Sequence, residues 1–134
     1  MKCRCVLLAD SHPEMLGAIQ ELLRDLFDSV VMVADEASLM TAIPRLQPEL
    51  VVVDLSLPVA GSQNIAALCC ETFPTLAVLA LSVHDEPEAA AATMTAGVRG
   101  YVLKRTAGTD LAEAVPLVLG GGKYSSPGVG PRRR

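Results

Sequence analysis

Residues 50–58 read Leu-Val-Val-Val-Asp-Leu-Ser-Leu-Pro, where an unbroken apolar run over residues 50–53 ends in an aspartate. A short run rich in valine, without polar alternation, is typical of a strand buried on both faces. Four similar runs occupy residues 5–9, 30–33, 76–81 and 101–103. The sequence therefore predicts five buried parallel strands, the third of which is followed by Asp54.

Helical patterns separate these strands. The clearest covers residues 14–27, where apolar side chains recur on one face and Pro13 suits the first helical position. Shorter patterns, the first of them opened by Ser38 as its predicted cap, lie at residues 38–46, 64–72, 87–95 and 110–119. Alternating strands and helices predict an α/β fold, a doubly wound parallel sheet with right-handed crossovers that cover both faces.

Two prolines, Pro44 and Pro116, fall inside the second and fifth helical patterns. Proline removes a backbone donor and clashes with the preceding turn, so we expect a kink or an early end at both positions. Residues 120–134 are rich in Gly, Pro and Ser, a composition typical of a connecting segment. We expect one domain over residues 1–122 and the start of a linker over residues 123–134.

Charge and hydropathy exclude some classes of partner. The chain has 11 Lys and Arg residues against 15 Asp and Glu residues, a net charge of −4 that disfavours nucleic acid or anionic membrane as a partner of the whole surface. No apolar run could span a bilayer and no charged leader opens the sequence, so we expect a cytoplasmic protein. The cysteines match no standard zinc pattern and should pack as small apolar residues: Cys3, Cys5, Cys69 and Cys70.

A polar residue follows four of the five predicted strands. Asp10 follows the first, Asp54 the third, Ser82 the fourth and Lys104 the fifth. Because ligands bind beyond the carboxyl ends of the strands in such sheets, we expect these four side chains to converge on one rim. Each alone has an ordinary explanation as a turn former or a solvated charge; their joint placement favours a site.

Phosphoryl transfer is the chemistry that this set of residues supports. Two neighbouring carboxylates repel each other unless a divalent cation or an ammonium compensates them, and Mg²⁺ and Lys104 could both do so. An oxygen of Asp54 could then attack phosphorus to give an acyl phosphate. Lys104 and the Ser82 hydroxyl would stabilise the phosphoryl oxygens.

Two enzymatic interpretations are weaker. Ser82, His84 and Asp85 contain the groups of a hydrolase triad, but no nucleophile-elbow glycines flank the serine. An aspartyl-phosphate phosphohydrolase would need a second acid two residues after Asp54, where Ser56 stands and cannot act as a general acid. We therefore expect a regulatory domain, limited to chemistry on its own Asp54, and no enzyme with an external substrate.

Four segments resemble those of response-regulator receiver domains of two-component systems, and the resemblance covers residues 3 to about 127. They read Leu-Leu-Ala-Asp at residues 7–10, Val-Val-Val-Asp-Leu-Ser-Leu-Pro at 51–58, Leu-Ala-Leu-Ser at 79–82 and Gly-Tyr-Val-Leu-Lys at 100–104. The segments at residues 12–13, 96–101 and 120–127 are similar to those of NarL/LuxR-type receivers, which precede a helix-turn-helix domain.

The resemblance implies a flavodoxin-like (βα)5 fold with a five-stranded sheet in the order 2-1-3-4-5. It also implies that a sensor histidine kinase phosphorylates Asp54. Mg²⁺ would bind Asp10, Asp54 and the backbone carbonyl of Ser56.

Ser82 and Lys104 would bind the phosphoryl group, and Ser82 and Tyr101 would switch conformation with phosphorylation. The implied output is control of transcription, through a possible homodimer or through a C-terminal DNA-binding domain that we expect to be absent from this chain.

Two features depart from the receiver pattern. Ser11 stands where the family has a second acid at the end of the first strand, so its contribution to the metal site is in question. A neutral hydroxyl is a weaker ligand for a hard cation than a carboxylate, which predicts weak Mg²⁺ binding. The loop over residues 58–61 is also one residue shorter than usual. The alternative hypothesis is a pseudo-receiver, a phosphorylation-independent interaction module created by the serine.

Overall fold

Six parallel strands form one sheet in the computed structural model, which describes residues 4–12, 16–60 and 64–129. The strands are β1 (Cys5–Ala9), β2 (Ser29–Val33), β3 (Leu50–Asp54), β4 (Val78–Ser82), β5 (Gly100–Leu103) and β6 (Tyr124–Ser125). Their order across the sheet is β2-β1-β3-β4-β5-β6, and every neighbouring pair is parallel. The α/β fold and the predicted order of the first five strands are confirmed.

One helix follows each of the first five strands, as the alternation predicts. The helices are α1 (Gly17–Leu26), α2 (Glu36–Leu46), α3 (Ile65–Thr72), α4 (Pro87–Thr95) and α5 (Ala107–Leu119). Residues 13–15, where we expect the first helix to begin, lie outside the described residues. Across the described ranges, no helix has the length and apolar character needed to cross a membrane.

Side-chain caps explain where two helices begin. The Asp35 carboxylate accepts a hydrogen bond from the Ser38 amide at 2.8 Å, so α2 begins at Glu36 and the prediction of Ser38 as its cap is wrong. The Asn64 side chain accepts from the Ala67 amide at 2.8 Å and caps α3 in the same way.

Neither internal proline ends its helix. α2 runs two residues past Pro44 and α5 runs three residues past Pro116, so the predicted early end is wrong at both positions. Both prolines are exposed, and a carbonyl that loses its intrahelical partner near an exposed helix end can bind water instead. The predicted kink stays a prediction.

The predicted five-stranded sheet is one strand too small. The amide of Tyr124 in β6 donates to the Arg99 carbonyl, and the amide of Ser126, the residue directly after β6, donates to the Tyr101 carbonyl, both at 2.9 Å. A two-residue strand after a run of glycines has no periodicity by which the sequence could reveal it. The domain boundary at residue 122 stays a prediction; the structure adds that part of the expected linker pairs with the sheet.

Two apolar clusters hold the sheet between its helices. One packs α1 and α5 against strand residues such as Leu8 and Leu79, and the other packs α2, α3 and α4 against residues such as Leu7 and Tyr101. Successive residues of a strand point to opposite faces, so both faces of the sheet are apolar and buried. Because the strands are parallel, their carboxyl ends all lie at one rim of the sheet.

Candidate functional site

Two buried aspartates stand at the carboxyl ends of neighbouring strands. Asp10 follows β1 and Asp54 ends β3, and their exposed fractions are 0% and 2%. Backbone amides orient both carboxylates: the His12 amide donates to Asp10 Oδ1 at 2.7 Å, and the Ser56 amide donates to Asp54 Oδ1 at 3.0 Å. These turn contacts leave the second oxygen of each carboxylate for another partner.

Lys104 approaches both aspartates at that second oxygen. Its Nζ lies 2.8 Å from Asp54 Oδ2 and 3.0 Å from Asp10 Oδ2. The contact to Asp54 is a hydrogen bond, whereas Asp10 Oδ2 is buried without a well-directed hydrogen bond. One ammonium thus faces two carboxylates, which leaves the three groups with a net charge of −1. The structure brings together three of the four side chains that we expect on the rim.

The ion pair shifts the pKa of both partners. Burial alone would raise the pKa of Asp54, but the hydrogen bonds from Lys104 and from the Ser56 amide outweigh it and hold the pKa below its usual value. Partial burial alone would lower the pKa of Lys104, but the hydrogen bond to Asp54 and the ion pair with Asp10 raise it. At neutral pH the carboxylate of Asp54 is therefore ionised and the ammonium of Lys104 is protonated.

The fourth rim residue, Ser82, is connected to Tyr101 through one intervening residue. Ser82 is buried at the end of β4, and its hydroxyl accepts a hydrogen bond from the His84 amide at 3.0 Å. The carbonyl of His84 in turn accepts from the hydroxyl of Tyr101 at 2.8 Å, and the Tyr101 side chain is fully buried. The backbone of His84 therefore joins the two residues for which we expect a switching role.

A small cleft gives access to Asp54. Its volume is about 70 Å³, several times the roughly 10–15 Å³ that one bound water needs. The cleft is lined by Asp54, Leu55, Ser56, Ser82, Val83 and His84. A larger groove of about 760 Å³ lies at the other end of the sheet, where residues such as Arg4 and Arg99 precede the strands.

The oxygen atoms at the rim suit a magnesium ion, but they could fill only some of its six coordination positions. Mg²⁺ is commonly bound through one or two carboxylates and keeps several waters, and Asp10, Asp54 and the Ser56 carbonyl could supply such a set. The buried Asp10 Oδ2, which lacks a well-directed hydrogen bond, is the oxygen best suited to it. No three acidic, histidine or cysteine side chains cluster within the described residues, and the Ser11 hydroxyl hydrogen-bonds to the His12 ring at 3.2 Å.

The described cysteines, Cys5, Cys69 and Cys70, lie away from this rim, and Cys3 lies outside the described residues. Cys69 is buried in α3, and burial together with the neighbouring Cys70 raises the pKa of its thiol to about 12. Burial also raises the pKa of the Cys70 thiol. A protonated thiol is a poor nucleophile and a poor metal ligand, so these two side chains act as apolar groups in their helix.

A second polar cluster, which the sequence does not indicate, stands behind Lys104. Thr106 and Ser126 both donate to the carboxylate of Asp110, and Ser126 also accepts from the amide of Leu103. Sequence alone gives no sign of this cluster because its members come from a turn, a helix and the chain after α5. The interval from Asp110 to Ser126 matches no local motif.

Comparison with known proteins shows the family and the fold of this chain. Residues 6–116 match the response regulator receiver domain family. The transcriptional regulatory protein MctR of Rhizobium johnstonii is 29% identical over 127 residues, which cover 92% of this chain and 59% of MctR. The transcriptional regulatory protein RcsB of Escherichia coli K12 is 27% identical over 129 residues, which cover 92% of this chain and 60% of RcsB. The chain thus spans about three fifths of the length of these curated relatives.

Solved structures of RcsB share the fold. The isolated receiver domain of RcsB from Salmonella enterica serovar Typhimurium, in the presence of the phosphomimetic BeF₃⁻, gives a TM-score of 0.82 at 27% identity and covers 96% of each chain. A structure of an RcsB–DNA complex gives a TM-score of 0.79 at 27% identity, covering 96% of this chain and 66% of that one. With the family match spanning well over half of its residues, this chain belongs to the response regulator receiver domain family.

Proposed function

We propose that this receiver is phosphorylated on Asp54 by a sensor histidine kinase and that phosphorylation changes its conformation. The observation that carries the proposal is the contact of 2.8 Å between Lys104 Nζ and Asp54 Oδ2. An ammonium held against the one aspartate that lines the cleft is placed to bind a phosphoryl group added there. Ser82, which lines the same cleft, would donate its hydroxyl to that group.

The residues of this chain supply the nucleophile and the charge compensation. An oxygen of Asp54 attacks phosphorus, the new O–P bond forms as the N–P bond to the kinase histidine breaks, and the electron pair returns to the imidazole. Lys104 then compensates the added negative charge. The backbone turn at Ser56 keeps the Asp54 carboxylate directed into the cleft. Mg²⁺, held by Asp10, Asp54 and the Ser56 carbonyl, would add further charge compensation.

The switch would run through the chain of contacts from Ser82 to Tyr101. A phosphoryl group that draws the Ser82 hydroxyl toward the cleft removes it from the His84 amide. The His84 carbonyl, which holds the Tyr101 hydroxyl, would move with that segment. A local change at the acceptor is thus passed to β5 by two hydrogen bonds.

The output that we propose is control of transcription in a longer protein. MctR and RcsB are named as transcriptional regulatory proteins, and one of the matching structures is an RcsB–DNA complex. The acidic net charge of −4 does not suit this chain itself for binding DNA. DNA binding would belong to a further domain, with homodimerisation of the receiver as a possible intermediate step.

The test is phosphorylation of the full chain by acetyl phosphate with Mg²⁺, followed by intact mass spectrometry. We expect the mass of one phosphoryl group on the wild-type chain and none on Asp54→Asn. Beryllofluoride with Mg²⁺ should also shift the amide signals of Ser82, His84 and Tyr101 in NMR spectra. An equal gain of mass on Asp54→Asn would place the acceptor elsewhere and contradict the proposal.

The pseudo-receiver is the second candidate, and the Ser11 hydroxyl favours it because it is a weaker cation ligand than the acid it replaces. A folded wild-type chain that responds to neither acetyl phosphate nor beryllofluoride, while a verified receiver responds in parallel, would support this candidate. The same chain would then act through a constant surface.

A further inference from the structure

The residue before Lys104 and the second residue after it are both held by hydrogen bonds. One bond goes to the segment after α5 and the other to α5 itself. Lys104 begins a short 3-10 helix, Lys104–Thr106, so that Leu103 precedes it and Thr106 ends the turn. Leu103 donates its amide to Ser126 Oγ at 3.0 Å. Thr106 donates its hydroxyl to Asp110 Oδ2 at 2.6 Å.

A single carboxylate oxygen joins these two contacts. Ser126 donates its own hydroxyl to Asp110 Oδ2 at 2.7 Å, so this oxygen accepts from both Ser126 and Thr106. Hydrogen bonds to an ionised carboxylate are stronger than those between neutral groups. Because the Ser126 hydroxyl accepts from Leu103 while it donates to Asp110, both of its functions as donor and acceptor are used.

The Ser126 hydroxyl is also the hydrogen-bond acceptor of the Leu103 amide, which is buried away from solvent. Leu103 is fully buried, and Ser126 is only 3% exposed. A buried amide without an acceptor destabilises the protein. The surrounding backbone is therefore expected to move until the amide finds another acceptor or water. If Ser126 is removed, the backbone at Leu103 is expected to shift, and Lys104 is the next residue.

We infer that Ser126 is a positioning residue for Lys104, acting through Leu103 and the Asp110 carboxylate. The inference rests on the proposed function in one respect, that Lys104 serves the phosphoryl group; the positioning itself does not require phosphorylation. Coupling of this kind is reciprocal. A partner that pulls Ser126 away from β5 therefore changes the hold of Lys104 on Asp54, and a change at Asp54 alters the hold on Ser126.

The pairing of β6 with β5 does not require the Ser126 hydroxyl. The strand is paired by backbone groups, and the neighbouring Ser125 has an exposed side chain. Ser125→Ala is thus a matched control that removes a hydroxyl from the adjacent residue, the last of β6, without touching Leu103 or Asp110.

The first measurement is acylation of lysine in the full chain, read by mass spectrometry against an added lysine-containing peptide. It reports how often the Lys104 ammonium leaves its two carboxylates, and it needs no phosphoryl donor. We expect Ser126→Ala to raise the acylation rate of Lys104 about threefold to tenfold, the range that the loss of one hydrogen bond allows. Ser125→Ala should leave the rate unchanged.

A second measurement separates positioning from general loss of structure. Ser126→Thr keeps the hydroxyl and should restore the wild-type rate, and Thr106→Val, which breaks the other bond to Asp110, should reproduce the effect of Ser126→Ala. An unchanged Lys104 rate in Ser126→Ala would overturn the inference, as would equal effects of Ser125→Ala and Ser126→Ala.

Phosphorylation by acetyl phosphate then distinguishes the inference from the proposed function. If the acylation results hold but the wild-type chain takes up no phosphoryl group, the positioning stands and the proposed function fails. If the wild-type chain and Ser126→Ala are phosphorylated at the same rate and acylated at the same rate, the proposed function stands and the inference fails.

Discussion

At the residue scale, Lys104 is the residue on which the rim depends. Its partners Asp10 and Asp54 are buried, while its own side chain is 24% exposed. The sequence predicted this meeting because each residue follows a strand of a parallel sheet. It could not predict that Asp10 Oδ2 would lack a directed hydrogen bond, since that depends on the position of atoms within the rim.

Removing the ammonium should destabilise the protein in a pH-dependent way. Lys104→Met leaves two buried carboxylates unpaired, and we expect a loss of roughly 2–4 kcal/mol in the free energy of unfolding at neutral pH, given that Lys104 is partly exposed. The wild-type pKa of Asp54 is lowered, so its contribution is present above the unfolded carboxyl pKa and is lost as the pH falls through the folded one.

Urea unfolding of the two proteins at pH 7 and below about pH 4 checks this expectation. The difference between them should shrink in acid, where Asp54 of the variant takes up a proton. The double variant Asp54→Asn with Lys104→Met should be more stable than Lys104→Met alone. A difference that does not depend on pH would mean that the lysine stabilises by packing.

The serine at position 11 is predicted to limit the affinity for Mg²⁺. Ser11→Asp would add a carboxylate ligand next to Asp10, and we expect affinity to rise about tenfold, or roughly 1.4 kcal/mol. Ser11→Asn, which has the same shape without the charge, is the control. Calorimetric titration should show the gain for aspartate only, and equal gains for both variants would assign the effect to geometry.

At the scale of elements, turns and caps decide where helices begin, and here the sequence was a partial guide. The helix predicted at residues 87–95 has the bounds of α4, and the one predicted at 64–72 matches α3 to within one residue. The cap of α2 was misplaced because Asp35 and Ser38 are both capping residues, and only the geometry selects the aspartate. The start of α5 was missed because Gly108 lowers the helix propensity of its first turn.

The turn between α4 and β5 should depend on glycine. Gly97 has a φ of +113°, and a Cβ built on it would lie 3.3 Å from the Cβ of Cys70; Gly121 has a φ of +96° with open space around it. Gly121→Ala should therefore cost about 1–2 kcal/mol from backbone strain, and Gly97→Ala should cost about 1 kcal/mol more from crowding. Urea unfolding compares the two, and equal losses would show that Cys70 moves aside freely.

At the scale of the whole molecule, the topology was the most predictable feature and the edge of the sheet the least. Five runs buried on both faces, with helical patterns between them, leave few arrangements, and the strand order that the resemblance to receivers implied was confirmed. β6 was not predicted, because it is defined by its pairing with β5, and a segment of two residues carries no sequence pattern that indicates such a pairing. The cluster around Asp110 escaped prediction for the same reason.

The sheet edge predicts that a chain ending at residue 122 is less stable than one ending at 129. The shorter chain loses three hydrogen bonds along the β5 edge. The amides of Tyr124 and Ser126 donate to the carbonyls of Arg99, just before β5, and Tyr101, and the amide of Leu103 donates to the Ser126 hydroxyl. We expect a loss of about 2–4 kcal/mol, because the Leu103 amide is buried. It should also self-associate through its exposed β5 edge.

Urea unfolding and sedimentation of the two chains test both expectations. Equal stability, with both chains monomeric, would show that the domain is complete at residue 122, as we expect from the sequence alone. If the chain ending at residue 129 is stable and monomeric while the chain ending at residue 122 is less stable and self-associates, the domain boundary lies after β6.

The direction of β6 decides where the polypeptide departs from the domain. α5 carries the chain back to the amino ends of the strands, and β6, being parallel to β5, returns it to the rim that holds Asp54 and Lys104. Gly128 lies there against Leu103 and Arg105. A fluorophore attached at residue 128 would therefore emit from the same rim as Asp54, so that the proposed phosphorylation could be followed optically on the domain itself.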